Sequence, residues 1–324
     1  MPKKKEKNPT FEALRKACVS ERAAVEFMES RRWRGEAWCP YCMGTDVYAM
    51  KDRKTGDRNK NYRWRCRTCS KQFSVRTGTV MEESRLSLTH WCYAFWKACA
   101  SKKGVSALQI SRERQISYKS ALFLMHRIRH AMQQPDNPQP MTGDVEVDEA
   151  YIGGKPYKHH RKPTKNTVKP KQTVLAMVNR EDGQVRVRHP QGRVGAAEIG
   201  AVLVNNIHRN SRLFTDGSAL YKWAKGYFND HKWVDHSARE YSRREGMDVV
   251  TTNTIEGFFS LLKRGVYGTF HSISREHLQL YLSEFEFRYN TRHDDDGERT
   301  EAAIRSSVGK RLRYDDHVVR KKAG

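Results

Sequence analysis

The stretch Gly143-Asp-Val-Glu-Val-Asp-Glu-Ala-Tyr-Ile-Gly-Gly154 decides how the second half of this chain folds. Its two valines alternate with acidic residues, which is the two-residue period of a strand with one buried face. The end of the strand carries Glu146, Asp148 and Glu149, and such neighbouring carboxylates repel one another unless a cation lies among them. The stretch therefore predicts a strand that ends beside a divalent metal site.

The rest of the chain is strongly basic. Its 324 residues include 61 Lys and Arg against 37 Asp and Glu, a formal net charge of +24. Such an excess indicates a nucleic acid or an anionic membrane surface as the partner. No apolar run approaches the length of a membrane span, and the N-terminus lacks the apolar core of a signal peptide. We therefore expect a cytoplasmic protein whose metal site lies against the phosphates of a nucleic acid.

Two Cys-x-x-Cys pairs stand in the first quarter of the chain, Cys39-Pro-Tyr-Cys42 and Cys66-Arg-Thr-Cys69. Each pair can form a tight turn, and four thiolates then close a tetrahedral zinc site of the zinc-ribbon type. The alternatives are structural thiols or a redox pair, but a redox motif needs one pair at a helix start, not two matched pairs. We expect one structural zinc ion per chain, because all four ligand positions are filled.

Three helices are predicted after the zinc ribbon. Apolar residues recur at helical spacing over 87–102, and a short helix at 106–113 is followed by a turn and a third helix. This order is typical of a helix-turn-helix, although a plain three-helix bundle has the same pattern. In the first interpretation, the start of the third helix supplies the DNA-contacting residues Ser117, Tyr118 and Lys119.

Beyond a proline-rich linker, the pattern changes to strands and helices. After the acidic strand, strands are predicted at 173–178, 184–189 and 213–216, and helices at 196–207 and from residue 219. The basic segment 155–171, between the first two strands, either clamps DNA or forms a hairpin tip. A ribonuclease-H-like domain has this layout: three antiparallel strands, a helix, a fourth strand and another helix. Its acids lie at the ends of strands one and four, as they do here.

A further predicted helix supplies a third acid. Residues 253–263 have the pattern of a capped helix start. Glu256 follows Asn253 by three residues, and an apolar run comes next. Glu256 and Lys263 are two turns apart on nearly the same helix face, whereas Asn253 lies to one side.

These motifs together resemble the DDE-type insertion-sequence transposases that carry an N-terminal zinc ribbon and an RNase-H-like catalytic domain. In some members of this group the third acidic position is an Asn followed by a Lys. Both Asn253 and Glu256 are therefore candidates, and the alignment with Lys263 favours Glu256. Besides the two cysteine pairs, the matching pieces are Phe73-Ser-Val-Arg-Thr-Gly78, Val147-Asp-Glu-Ala-Tyr-Ile-Gly-Gly154, Phe214-Thr-Asp-Gly217 and Asn253-Thr-Ile-Glu-Gly-Phe-Phe-Ser-Leu-Leu-Lys-Arg-Gly265.

The resemblance implies a transposase that binds the terminal inverted repeats of its element and catalyses Mg²⁺-dependent strand cleavage and strand transfer. Asp148, Asp216 and Glu256 would hold two Mg²⁺ ions, and Lys263 and Arg264 would contact DNA. The partners would be the double-stranded element ends and target DNA, bound by a homodimer or higher oligomer on the nucleoid of a bacterium or archaeon. The alternatives are a domesticated, non-catalytic zinc-ribbon DNA-binding protein, against which the intact acids argue, and a nuclease that cuts without joining.

The expected architecture is a multi-domain α+β protein. It comprises an N-terminal helical segment at 1–35, a zinc ribbon at 36–82, a helix-turn-helix-like module at 83–134, a linker at 135–142 and the RNase-H-like α/β catalytic domain at 143–324.

Overall fold

Two units make up the chain, each described here by itself. The first comprises residues 1–133 and 293–324, and the second comprises residues 134–292. The structure, a computed structural model, describes residues 9–135, 138–153, 171–190 and 194–313. Residues 1–8, most of the basic segment 155–171 and the chain after residue 313 lie outside the described residues.

The first unit begins with two helices, α1 (Pro9–Ala17) and α2 (Glu21–Trp33). They are separated at Ser20, whose hydroxyl accepts a hydrogen bond of 3.4 Å from the backbone N–H of Ala23. Ser20 thus caps α2, because a serine oxygen satisfies one of the free N–H groups of the first turn.

A small antiparallel sheet follows, with strand order β1-β2-β3. Its strands are β1 (Val47–Ala49), β2 (Trp64–Cys66) and β3 (Gln72–Phe73). Glu29 of α2 fixes the sheet to the helices, because its carboxylate accepts hydrogen bonds of 2.7 Å from the Trp64 indole and from the Arg58 guanidinium.

The three predicted helices come next, as α3 (Leu88–Ala100), α4 (Ala107–Arg114) and α5 (Tyr118–Ala131). The turn between α4 and α5 contains Gln115 in the left-handed conformation, at φ 52° and ψ 42°. Ser117 then caps α5 by accepting a hydrogen bond of 3.1 Å from the backbone N–H of Ser120. The helix, short turn and helix of the sequence prediction are therefore present.

The second unit is built on a five-stranded sheet of order β6-β5-β4-β7-β8. The first three strands along the chain are antiparallel, and β7 and β8 run parallel to β4. The strands are β4 (Asp144–Ile152), β5 (Gln172–Asn179), β6 (Val185–Arg188), β7 (Arg212–Asp216) and β8 (Asp230–Val234). This arrangement has the predicted ribonuclease-H-like layout, and the multi-domain α+β fold class is confirmed.

Helices cover both faces of this sheet. Valines of β4 pack with α6 (Ala196–Asn206) and the 3-10 helix Ala219–Gly226 on one face. On the other face, Ala150 and Ile152 pack with two later helices. The expectation that β4 buries only one face is therefore wrong: Glu146, on the supposedly solvated face, is 1% exposed.

A hairpin precedes those later helices. Its strands β9 (Ser242–Glu245) and β10 (Asp248–Thr251) pair antiparallel and lead directly into α7 (Asn253–Gly265). The next helix is α8 (Leu278–Asn290). The sequence did not predict β8, β9 or β10, because β8 is an edge strand and the hairpin is largely exposed, so their compositions are polar.

The last helix, α9 (Asp296–Arg305), belongs to the first unit. The Arg299 guanidinium donates a hydrogen bond of 3.0 Å to the carbonyl of Cys99 at the end of α3. Arg31 of α2 forms an ion pair of 2.6 Å with Glu301. The structure thus differs from the boundary that assigned residues 143–324 to one catalytic domain, because the contacts of α9 lie with α2 and α3.

Within the described ranges, no helix combines the length and the apolar character that a membrane crossing requires.

Candidate active site and zinc site

The four predicted cysteines converge in the first unit. The thiol sulfurs of Cys39, Cys42, Cys66 and Cys69 all lie within 4.8 Å of one another. The backbone N–H of Cys69 donates to the Cys66 sulfur, and this hydrogen bond lowers the pKa of Cys66 to about 7. Four thiol sulfurs this close together fit a structural zinc ion, and four protein ligands leave no open position for a substrate.

Strand register brings the first two acids of the second unit together. Glu146 of β4 is the parallel partner of Phe214 of β7. Asp148 and Asp216 each stand two residues further along, so they lie side by side on the same sheet face. Asp216 is the last residue of β7, whereas β4 continues past Asp148 to Ile152. The prediction that the acidic strand ends at these acids is therefore wrong. In open α/β sheets, ligands bind beyond the carboxyl ends of strands such as β7.

The third acid comes from α7, which covers that face. A cleft of about 530 Å³ opens between β4 and this helix, and Glu256 and Lys263 both line it. Asn253 is exposed at the helix start and does not line the cleft. The complete lining comprises Asp148, Glu149, His236, Glu256, Phe259, Ser260, Lys263 and Arg264.

These carboxylates repel one another electrostatically. The pKa of Asp148 is raised to about 7, chiefly by burial. The backbone N–H of Glu149 acts in the opposite direction, and the charges of Glu149, Asp216 and Glu256 add to the rise. Burial also raises the pKa of Glu149, whose carboxylate accepts a hydrogen bond from the Tyr221 hydroxyl. A divalent cation would relieve this repulsion, and hard carboxylate oxygens are the ligands that Mg²⁺ prefers.

Two side chains hold the Glu256 carboxylate. The Thr252 hydroxyl donates a hydrogen bond of 3.1 Å to its Oε1, and the Nε2 atom of His236 lies 3.5 Å from the same oxygen. Thr252, not Asn253, is the N-cap residue of α7, and its side chain makes no cap hydrogen bond. The predicted capping box between Asn253 and Glu256 is therefore wrong, because the Thr252 hydroxyl is directed to Glu256.

Glu146 takes over the capping of α7. Its buried carboxylate accepts hydrogen bonds of 3.0 Å from the backbone N–H of Ile255 and from the Thr254 hydroxyl. It also accepts one of 2.9 Å from Arg180. Glu146 is therefore an anchor for the helix, not a member of the acidic cluster predicted from its position.

Arg180 extends this anchor to the hairpin. Its guanidinium donates to the carbonyls of Val249 and Thr251 at 2.9 and 2.5 Å, and it lies 3.6 Å from the centroid of the Phe214 ring. The strand that enters α7 is thus fixed to the central sheet. Sequence reasoning missed Glu146 as an anchor, as well as Arg180, Thr252 and His236, because each acts through partners remote along the chain or outside any local motif.

The predicted DNA-contacting residues lie at two helix ends. Tyr118 is 53% exposed at the start of α5, next to the capping residue Ser117 and to exposed Lys119. In the second unit, Lys263 and Arg264 are exposed in the last turn of α7.

Comparison with known proteins identifies two matching families. Residues 140–290 match an ISXO2-like transposase domain, and residues 19–72 match a transposase zinc-ribbon domain. The chain is also similar to an uncharacterized protein in transposable element ISH50 of Halobacterium salinarum, with 26% identity over 286 residues that cover 84% of this chain and 92% of that protein.

Among solved structures, this chain is similar to a chain in the cryo-EM structure of a simian T-cell lymphotropic virus intasome in complex with PP2A regulatory subunit B56 gamma. The identity is 13% and the TM-score 0.26, over 55% of this chain and 63% of that one.

Proposed function

We propose that this chain is an insertion-sequence transposase that cuts DNA at the ends of its element and joins those ends to target DNA, because residues 140–290 match an ISXO2-like transposase domain and residues 19–72 match a transposase zinc-ribbon domain. The observation that carries this proposal is the convergence of Asp148, Asp216 and Glu256 from two strands and a helix. Asp148 and Asp216 occupy matching register positions on β4 and β7, and Asp148 and Glu256 line the same cleft.

We propose that the carboxylates of these three residues would together hold two Mg²⁺ ions. Bound there, the ions would activate the attacking water or 3′-hydroxyl and stabilise the leaving 3′ oxygen. Glu256 is preferred to Asn253 because it lines the cleft together with Lys263.

The surrounding residues orient the acids and the substrate. Thr252 and His236 restrict the Glu256 carboxylate to one region of the cleft, which reduces the conformational freedom lost when a ligand binds. Lys263 and Arg264 place two positive charges along the cleft wall, where they would contact DNA phosphates beside the scissile bond.

The first unit would recognise the element ends. A zinc ribbon and a helix-turn-helix-like group of helices, with exposed Tyr118 and Lys119 at the start of α5, form a basic surface suited to duplex DNA. Two ends must be brought together for joining, so we propose that the protein acts as a homodimer or higher oligomer on DNA.

Strand transfer tests this function directly. Wild-type protein is incubated in Mg²⁺ with a labelled duplex of the terminal repeat that ends in a free 3′-hydroxyl, together with a supercoiled plasmid. We expect label to become covalently joined to the plasmid. A parallel reaction uses the repeat still joined to its flanking DNA. Cutting of that DNA without any joining of label to the plasmid would instead indicate a nuclease. Binding without cutting or joining would indicate a domesticated DNA-binding protein.

A further inference from the structure

A second cavity lies beside Asp216, separate from the cleft that Glu256 lines. Its volume is about 280 Å³. An aromatic ring and two lysines contribute to its wall, which comprises Asp216, Gly217, Ser218, Lys222, Lys225, His231 and Trp233. Asp216 therefore borders this cavity and not the cleft that Asp148 and Glu256 line.

The Trp233 indole provides an aromatic surface in this cavity. Trp233 stands on the edge strand β8 opposite Thr215 and is 44% exposed. The ring of His231 lies 5.8 Å from it and is itself fixed by a contact of 2.9 Å between its Nε2 atom and the Thr215 hydroxyl. A large apolar ring held at the rim of a concave site is suited to stacking with a planar ligand.

Two cations lie across the cavity on the 3-10 helix Ala219–Gly226. Lys222 and Lys225 are three residues apart, so their side chains are eclipsed on one side of such a helix. Both are exposed, and neither forms an ion pair with any other residue in the described part of the chain. Buried Tyr221 and Ala224 anchor the helix, so the lysines project from a fixed support.

We propose that this cavity binds one nucleotide of the cut strand that has left the duplex, with its base stacked on Trp233 and its flanking phosphates near Lys222 and Lys225. Stacking on an aromatic ring is available to any single base, and a base exposes its full face to such a ring once it has left the duplex. The position beside Asp216 places this nucleotide next to the scissile phosphate. The assignment rests on the proposed function, since that function brings DNA to Asp216.

Photocrosslinking tests the proposal without requiring cleavage. Terminal-repeat duplexes carry 5-iodouracil at one position at a time across the end of the cut strand, and full-length protein binds them with no added divalent metal. We expect one position next to the cleavage site to crosslink to the peptide that contains Trp233. Absence of a Trp233 crosslink at every position overturns the proposal, whether or not the protein cuts DNA in Mg²⁺.

Variants separate stacking from charge. Trp233→Ala should slow cleavage about tenfold while Trp233→Phe retains most of the rate, because the smaller ring still stacks. Tyr267→Ala is the matched control, since Tyr267 is exposed to a similar extent outside the cavity. Replacing Lys222 and Lys225 by Gln should make the fall of log affinity with log salt concentration less steep, by up to about two in the magnitude of the slope. A wild-type cleavage rate in Trp233→Ala would contradict stacking.

Discussion

The backbone N–H of Ile255 donates a hydrogen bond of 3.0 Å to the carboxylate of Glu146. Glu146 stands two residues before Asp148 on β4, and Ile255 immediately precedes Glu256 on α7. One buried hydrogen bond therefore joins the strand that carries the first acid to the helix that carries the third. Because Glu146 supplies the cap, the Thr252 hydroxyl is available to hold Glu256.

We expect Glu146→Ala to be strongly destabilising. It leaves the Arg180 charge and the Ile255 N–H without their buried acceptor, and breaking a buried ion pair in this way costs roughly 3–5 kcal/mol. Glu146→Gln keeps a hydrogen-bond acceptor for the N–H of Ile255, so this variant should fold and lose less of the free energy of unfolding than Glu146→Ala. Thermal melts measure both, with exposed Glu245→Gln as the control.

Glu146→Gln also tests whether the anchor positions Glu256. If it does, the folded variant should need several-fold more Mg²⁺ for half-maximal cleavage while its binding to the element ends is unchanged. A Glu146→Gln protein with an unaltered Mg²⁺ requirement would show that the anchor contributes to stability alone.

Asn253→Ala should retain near-normal cleavage. The Asn253 side chain is exposed, does not cap α7 and does not line the cleft, so its removal changes neither the helix start nor the acids. Rates are compared with those of wild type on labelled terminal-repeat DNA. If Asn253→Ala is inactive and Glu256→Gln is active, Asn253 is the third ligand.

Metal analysis of the purified protein should give about one zinc ion per chain. Cys66→Ser should lower that content and unfold the zinc ribbon, because the binding energy of a structural zinc contributes to folding. Cys18 is buried away from the four-cysteine cluster, so Cys18→Ala should keep its zinc. Full zinc retention in Cys66→Ser would refute the site.

The division into two units predicts which fragments recognise DNA. A fragment of residues 134–292 should bind DNA with a steep salt dependence but without preference for the element ends. The fragment ends at residue 292 because α9 packs with α2 and α3. Selective binding of the ends by this fragment would place recognition in the second unit.

Local patterns in the sequence predicted most elements and the three acids. Alternation and helical periodicity located β4 to β7 and α3 to α7, since these elements bury regular faces. Helix α9 was missed although Asp295 and Glu298 form a capping box that the sequence displays. Strands β8 to β10 carried no such signal, because their exposed faces are polar.

The residues that position the acids were not predictable from local patterns. Glu146 receives hydrogen bonds from residues more than a hundred positions later, and nothing near it distinguishes an anchor from a ligand. His236 likewise reaches Glu256 from a segment with no motif of its own. Such contacts exist only after the sheet has brought remote segments together.

Cleavage of labelled terminal-repeat DNA in Mg²⁺ tests the central claim most directly. Wild type is compared with Asp148→Asn, Asp216→Asn and Glu256→Gln, after melts and binding assays show that each variant folds and binds the element ends. We expect wild type to cut at the repeat boundary and all three variants to lose cleavage and joining. Cutting at the wild-type rate by any one of them would contradict the assignment of that residue as a metal ligand.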